Sequence, residues 1–170
     1  MTSTRILESE QIERKIQRIA RQIAEEFIDT KTIHLICIAG NGEPVGNRIG
    51  SALRSISDAQ IEMSTLKMKK FSPLDHPIVL STDLVQLKGA EVVIVDDVLN
   101  SGKTLMHAVH HILSAGPTRV ATAVLVDRIH RSFPIRADFC GLSLSTNLKE
   151  HIEVTISDSW SEKDEAVLTD

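Results

Sequence analysis

Apolar residues between positions 10 and 28 fall at Ile12, Ile16, Ile19, Ile23 and Phe27, with charged residues filling the gaps. That three-to-four-residue spacing marks one face of a helix and predicts an amphipathic helix over 10–28, capped by Ser9. The period then shortens. IHLICIA (33–39) is an unbroken apolar run and reads as a buried strand. GNGEPVG (40–46) reads as a loop, NRIGSALRSI (47–56) as a helix, and the weakly alternating IEMSTLKM (61–68) as a strand. VVIVDD (92–97) and RVATAVLVD (119–127) are further buried strands, separated by a helix, GKTLMHAVHHILSAG, that stops at Gly116-Pro117. Residues 128–137 read as a loop, 138–144 and 151–156 as short strands, and SEKDEAVLTD as an acidic tail in which Trp160, just upstream, packs the segment down.

One stretch breaks this rhythm. Residues 70–90 carry Pro73, Pro77 and scattered polar residues, with only IVLS reading as strand. So long an aperiodic excursion inside a domain points to a functional loop. We expect a flexible lid over about 71–88, with Ser81 and Thr82 as its polar tips. Helices alternating with β-branched strands predict the α/β class: a mainly parallel central sheet flanked by helices, in one domain over 1–170. Ligands of such sheets bind at the carboxyl ends of strands, which is where Asp96 and Asp97 fall.

Composition narrows the function. At 42% hydrophobic and 25% charged, the chain is suited to a globular core rather than to disorder. Its net charge of −4 argues against a broad nucleic-acid surface, which leaves RNA possible but not favoured. Cys37 and Cys140 form no Cys-x-x-Cys pair and read as reduced core residues. The N-terminus carries no apolar run of signal-peptide length, and no segment reaches the length of a membrane span, so no membrane and a cytoplasmic location are expected.

The chemistry concentrates in VVIVDDVLNSGKT (92–104). Backbone N–H groups from about Leu99 to Thr104 lead into a helix N-terminus, Gly102 permits tight curvature, and Ser101 and Thr104 add hydroxyls. Such a turn receives a phosphate. Paired carboxylates do not hold phosphate directly. They accept hydrogen bonds from hydroxyls, or hold magnesium through its waters. Ribose 5-phosphate offers both partners, a vicinal diol and a phosphate a few bonds away. A P-loop reading fails because Asp97 occupies the position of that motif's first glycine. GNGEPVG is a near-miss of a dinucleotide fingerprint, with its third glycine one residue late.

EVVIVDDVLNSGKT resembles the phosphoribosyl-diphosphate signature of type I phosphoribosyltransferases. VLVDRIHRSFPIRADFCG (124–141) is similar to the matching run of pyrimidine-operon attenuator proteins that also act as uracil phosphoribosyltransferases. The likeness extends over most of residues 10–155. It implies the type I phosphoribosyltransferase fold with a lid and a small hood, the latter over about 127–156. It implies transfer of ribose 5-phosphate from 5-phosphoribosyl 1-diphosphate to a nucleobase, most simply uracil, with Mg2+ as cofactor. It also implies a homodimer or a higher homo-oligomer. Carried over, Asp96 and Asp97 take the ribose diol and, through water, the metal; Asn100, Ser101, Gly102, Lys103 and Thr104 cradle the 5-phosphate. The loop at Ala39, Gly40, Asn41 and Gly42 faces the diphosphate. Asp127 and Arg128 follow a strand and are placed to read the base edge, with Leu148 over the ring. His130 has a counterpart in the family's loop.

The chain departs from that pattern in three places. Ala39 and Asn41 stand where the family's first loop carries arginine. MSTLKMKK replaces a run that typically holds Tyr-Arg-Asp, leaving Lys67, Lys69 and Lys70 as cationic substitutes without an arginine's bidentate fork. Asn100 stands where hypoxanthine-guanine enzymes have an aspartate that takes a proton and where the attenuator group more often has tyrosine. An asparagine cannot serve as that base.

Overall fold

The computed structural model describes residues 3–170. In chain order the elements are β1 (Ser3–Leu7), α1 (Ser9–Glu26), β2 (Thr32–Ile38), α2 (Gly42–Ile56), β3 (Gln60–Lys67), β4 (Val79–Leu80), β5 (Glu91–Leu99), α3 (Lys103–Leu113), β6 (Arg119–Asp127), β7 (Phe139–Ser143), β8 (His151–Thr155) and β9 (Glu165–Thr169), with a single 3-10 turn at Leu84–Leu87. Six strands form the central sheet in the order β4-β3-β2-β5-β6-β7, parallel except for the short antiparallel edge strand β4. Three more, β1-β9-β8, form a small antiparallel sheet built from both ends of the chain.

Ile12, Ile16, Ile19, Ile23 and Phe27 are all buried, as their spacing predicts, and pack with α2 and one face of the sheet. The opposite face, through Ile36, Ile94 and Val124, takes Leu105, Ala108 and Ile112 of α3. Strand β5, apolar on both faces, sits in the middle of this sandwich, as expected of a parallel strand covered by helices on both sides.

Several local expectations are corrected. Ser9 is the first helical residue rather than the cap, and the backbone N–H of Glu8 donates to Gln11 Oε1 at 2.9 Å. Helix α2 begins at Gly42 rather than at Asn47. Gly42 and Gly46, which read as loop, are close-approach positions inside the helix. A Cβ on Gly46 would lie 2.1 Å from Cys37 Sγ, and one on Gly42 would lie 3.1 Å from Val95 O. The acidic tail contains β9, a strand with only Ala166 buried, which is too little burial to leave an alternating pattern. Trp160 is about half exposed. The C-terminal segment is held instead by Asp164, fully buried, which accepts from Arg48 Nη1 at 2.6 Å and from the backbone N–H groups of Ser157 (3.0 Å) and Ser161 (3.1 Å). Arg48 also pairs with Glu13 of α1. No helix among the described residues is long and apolar enough to cross a membrane.

Candidate active site

The chain runs from β2 to β3 on one side of β2, then crosses back so that β5 lies on the other. That reversal is a topological switch point, where the loops leaving two adjacent strands diverge and open a crevice. The loop after β2, residues 39–41, and the turn after β5, residues 100–102, flank it.

At the end of β5, Asp96 is only 2% exposed and Asp97 is half-buried. Asp96 Oδ1 accepts the N–H of Asp97 at 2.9 Å and lies 3.9 Å from Lys70 Nζ. Burial, then the neighbouring charge of Asp97, pushes the Asp96 carboxyl well above the usual carboxylate range; Lys70 acts in the opposite direction. Cys37, behind the same crevice, has its thiol pushed up to about 12 by burial and by Glu43, so it stays un-ionised.

The turn is rigid for a local reason. Gly102 sits at φ +86°, and a Cβ there would lie 2.6 Å from Ile135 Cγ2. The backbone N–H groups of Ser132 and Phe133 both donate to Ser101 O, at 2.9 and 3.1 Å. Thus the 128–137 loop, whose sequence carried the family likeness, buttresses the turn after β5 from behind. The Lys103 ammonium reaches across to Phe71 O at 3.2 Å, joining the turn to the start of the expected lid. A cavity of about 170 Å³ brings together Asp96, Asp97, Asn100, Ser101, Gly102, Lys103 and Thr104, and adds Lys70 and Ile152. Ile152 lies in β8, the short strand expected over 151–156, but its place at the cavity depends on a contact that only the fold supplies.

The loop at 39–42 is built differently. Gly40 has φ +100° with open space where a Cβ would be. Its N–H faces Glu43 Oε1 at 3.4 Å, and Asn41 Nδ2 donates to Val154 O of β8 at 2.8 Å. Gly42 lies against Asp96, with a Cβ position 3.2 Å from Asp96 Oδ1. The loop supplies curvature and close approach, but no positive charge.

On the expected base side, the Asp127 carboxylate pairs with Arg131 and accepts the N–H of Ile129 at 2.9 Å, so both oxygens are engaged within the chain. Arg128, 8% exposed, donates to Asn100 Oδ1 (3.0 Å), Thr146 Oγ1 (3.0 Å) and the carbonyls of Asn147 (3.1 Å) and Glu150 (2.5 Å). Leu148 is 82% exposed, on the turn before β8. Ser81, expected at a lid tip, is pinned to β3: its N–H donates to Thr65 O at 2.9 Å and its Oγ accepts from Thr65 N at 2.8 Å. The span without regular pairing is therefore residues 68–78, which includes the exposed Phe71 and Leu74.

A family model of the phosphoribosyl transferase domain matches residues 2–159. The chain belongs to this family. A protein named bifunctional protein PyrR from Roseiflexus sp. (strain RS-1) is 36% identical over 159 residues, covering 89% of this chain and 87% of the relative. Another of the same name from Herpetosiphon aurantiacus is 32% identical and covers 99% and 98%. Among solved structures, a Trypanosoma cruzi hypoxanthine phosphoribosyltransferase superposes with a TM-score of 0.73 at 20% identity, covering 83% of this chain and 81% of its own. That structural likeness speaks for the fold alone. Together these matches make the chain a PyrR-like type I phosphoribosyltransferase, an enzyme of the pentosyltransferase class.

Proposed function

We propose that this phosphoribosyltransferase moves ribose 5-phosphate from 5-phosphoribosyl 1-diphosphate to uracil, giving UMP and diphosphate. The observation that carries the reading is the single cavity in which the carboxylates of Asp96 and Asp97 and the amide-lined turn from Asn100 to Thr104 meet. A sugar diol on the acids and its 5-phosphate in the turn place the anomeric carbon toward the 39–42 loop and Lys70. The likeness of residues 124–141 to pyrimidine-operon attenuator proteins that also act as uracil phosphoribosyltransferases supports uracil as the acceptor.

The residues present fit magnesium: Asp96 and Asp97 are hard oxygen donors at the cavity wall, suited to hold the ion through its waters. When bound with the donor, the ion would neutralise charge on the departing diphosphate. The protein's own residues fix the ring through the acid pair and hold the 5-phosphate on the N–H groups of the turn. They offset diphosphate charge with Lys70, and exclude water with the segment before β4, residues 71–78. An oxocarbenium-like ring develops positive charge, and Asp97, half-buried beside it, opposes that charge with its own.

The test is direct. The protein, given 5-phosphoribosyl 1-diphosphate, magnesium and each free base in turn, should release diphosphate fastest with uracil and yield UMP. Release with a purine base alone would overturn the uracil assignment; none with any base would overturn transfer itself. A second reading, a uridine-nucleotide-sensing RNA-binding regulator, draws on the word bifunctional in the relatives' name and on exposed His130 and Arg136 beside Arg131. Salt-dependent RNA binding that responds to uridine nucleotides would support it.

A further inference from the structure

We propose that Glu43 is a specificity-determining residue of the crevice. Its carboxylate takes the anion-receiving amide of the loop after β2, so the site admits a phosphate at one end and resists a free anion at the other. The inference deepens the transfer reading above and rests on it.

The two ends of the crevice are charged differently. On the β5 side, residues 100–104 line the cavity, the Lys103 cation among them. On the β2 side, the loop abuts the acid pair, since a Cβ on Gly42 would lie 3.2 Å from Asp96 Oδ1. A ligand that lays its 5-phosphate in the turn and its hydroxyls on those acids presents its anomeric end to this loop. Gly40, at φ +100° with open space where a side chain would stand, is the loop's exposed amide. That amide is already engaged. Glu43, half-buried in the first turn of α2, bends back so that its Oε1 lies 3.4 Å from Gly40 N, while the Glu43 N–H donates to Gly40 O at 3.1 Å. The Glu43 charge also reaches Cys37 behind the crevice, where it helps keep the thiol un-ionised. Asn41 does not offset that charge. Its amide is turned to Val154 O of β8, the strand whose Ile152 roofs the cavity.

A helix start offers unpaired N–H groups and a positive partial charge, and both favour an anion. Glu43 supplies that anion from within the chain. At 3.4 Å its contact is long, so a ligand making shorter charge-assisted bonds can displace it. The displaced carboxylate stays nearby and repels the newcomer. A free diphosphate is therefore opposed twice, by an occupied amide and by a like charge.

The experiment uses Glu43→Gln, which keeps the size and an oxygen able to accept the Gly40 N–H but deletes the charge. A helix-capping role survives that change; a charge role does not. Thermal melting confirms that the variant is folded. The probes are ribose 5-phosphate and then inorganic diphosphate, titrated calorimetrically at low ionic strength with a chelator present. Ribose 5-phosphate should bind the wild type and the variant within about twofold of each other, because its phosphate lies at the other end. With the turn saturated by ribose 5-phosphate, diphosphate should bind the variant about fivefold or more tightly than the wild type, the effect of one close charge in a solvated site. The gap should narrow as salt rises. Diphosphate that binds the variant no tighter, or that binds neither protein, would overturn the proposal, as would an equal gain for ribose 5-phosphate. Wild-type protein that binds no ribose 5-phosphate would overturn the reading of the acids and the turn as well. Ribose 5-phosphate binding with unchanged diphosphate affinity would overturn the role of Glu43 alone.

Discussion

The two loops that flank the switch point are made of different materials. The turn after β5 is fixed by the backbone: a left-handed Gly102 pressed against Ile135, two N–H groups of the 128–137 loop on Ser101 O, and an acid pair at its entrance. The loop after β2 is open around Gly40, carries no cation, and turns its asparagine toward the roof. A site that recognises through oriented amides needs rigidity, because an N–H contributes only if it is already aimed. A site that must stabilise a departing diphosphate needs charge, and here the available charge is Lys70, from the segment that follows β3. On the proposed reading, the difference teaches that the ribose-phosphate half is pre-built, whereas the diphosphate half is completed by a segment with little regular structure.

The acid pair should give the largest effect. Asp97→Ala removes acceptors for the ribose hydroxyls, and losing hydrogen bonds to a charged group should lower kcat/KM by roughly 100-fold or more. Steady-state kinetics would show it, with thermal melting confirming that the fold persists. A loss under tenfold would mean that the sugar does not rest on this pair, and the contrast between the two loops would lose its meaning.

The next effect compares one glycine from each loop. In Gly102→Ala, positive φ adds to a collision with Ile135 Cγ2 at 2.6 Å, and the summed cost should be about 2–4 kcal/mol with weakened binding of ribose 5-phosphate. In Gly40→Ala the backbone is equally left-handed but nothing lies within 4 Å, so only conformational strain of about 1–2 kcal/mol remains. Denaturant melts of the two variants check the ranking. Equal losses would indicate that the phosphate turn is no better supported than its counterpart.

What the sequence revealed follows the same division. Wherever a residue's chemistry is local, it was legible: the five-residue apolar stripe of α1, the β-branched run of β5, and the acid–turn–helix order from Asp96 to Thr104 all appear in the structure as read. Features that depend on distant contacts were not. GNGEPVG resembles a loop because glycine usually marks one, yet Gly46 is required by Cys37, a neighbour that only the folded sheet supplies. Arg128 looked free to meet a base because its partners Asn100, Thr146, Asn147 and Glu150 lie in two segments well apart from it in the sequence. Strands β1 and β9 were missed because a short strand with little burial leaves no period to detect; Ile152 lies in the strand expected over 151–156, but only the fold brings that strand to the cavity.

Lys70 tests the diphosphate half directly. Lys70→Met keeps much of the apolar stem and deletes the charge. It should raise KM for 5-phosphoribosyl 1-diphosphate by about tenfold, as expected for one partly screened charge contact, and leave ribose 5-phosphate binding nearly unchanged. Initial rates at two ionic strengths separate the cases: the wild-type KM should climb with salt more steeply than the variant's. Equal salt dependence would place the diphosphate elsewhere.

The smallest effect concerns stability rather than rate, and it vanishes as pH falls. Asp96 is buried beside Asp97, and its carboxyl is held well above its ordinary 3.8 by burial first and by Asp97 second. The native state therefore keeps a proton that the unfolded chain has already released. Under proton linkage, stability is intact below 3.8 and declines as pH rises through the raised native value. Asp96→Asn keeps the shape and an oxygen able to accept the Asp97 N–H, but has no charge to lose, so it should escape that decline. At neutral pH the unliganded variant should melt higher than the wild type, by an amount on the order of 1 kcal/mol, and the two should converge below about pH 4. The same substitution should impair transfer, since it takes away the charge that the substrate's hydroxyls and cation call for. A variant more stable yet less active would show that the rigid half of the site holds its two acids together against their own repulsion; one less stable at neutral pH would show that Asp96 is ionised and well compensated by Lys70, and the contrast between the loops would then be one of geometry alone.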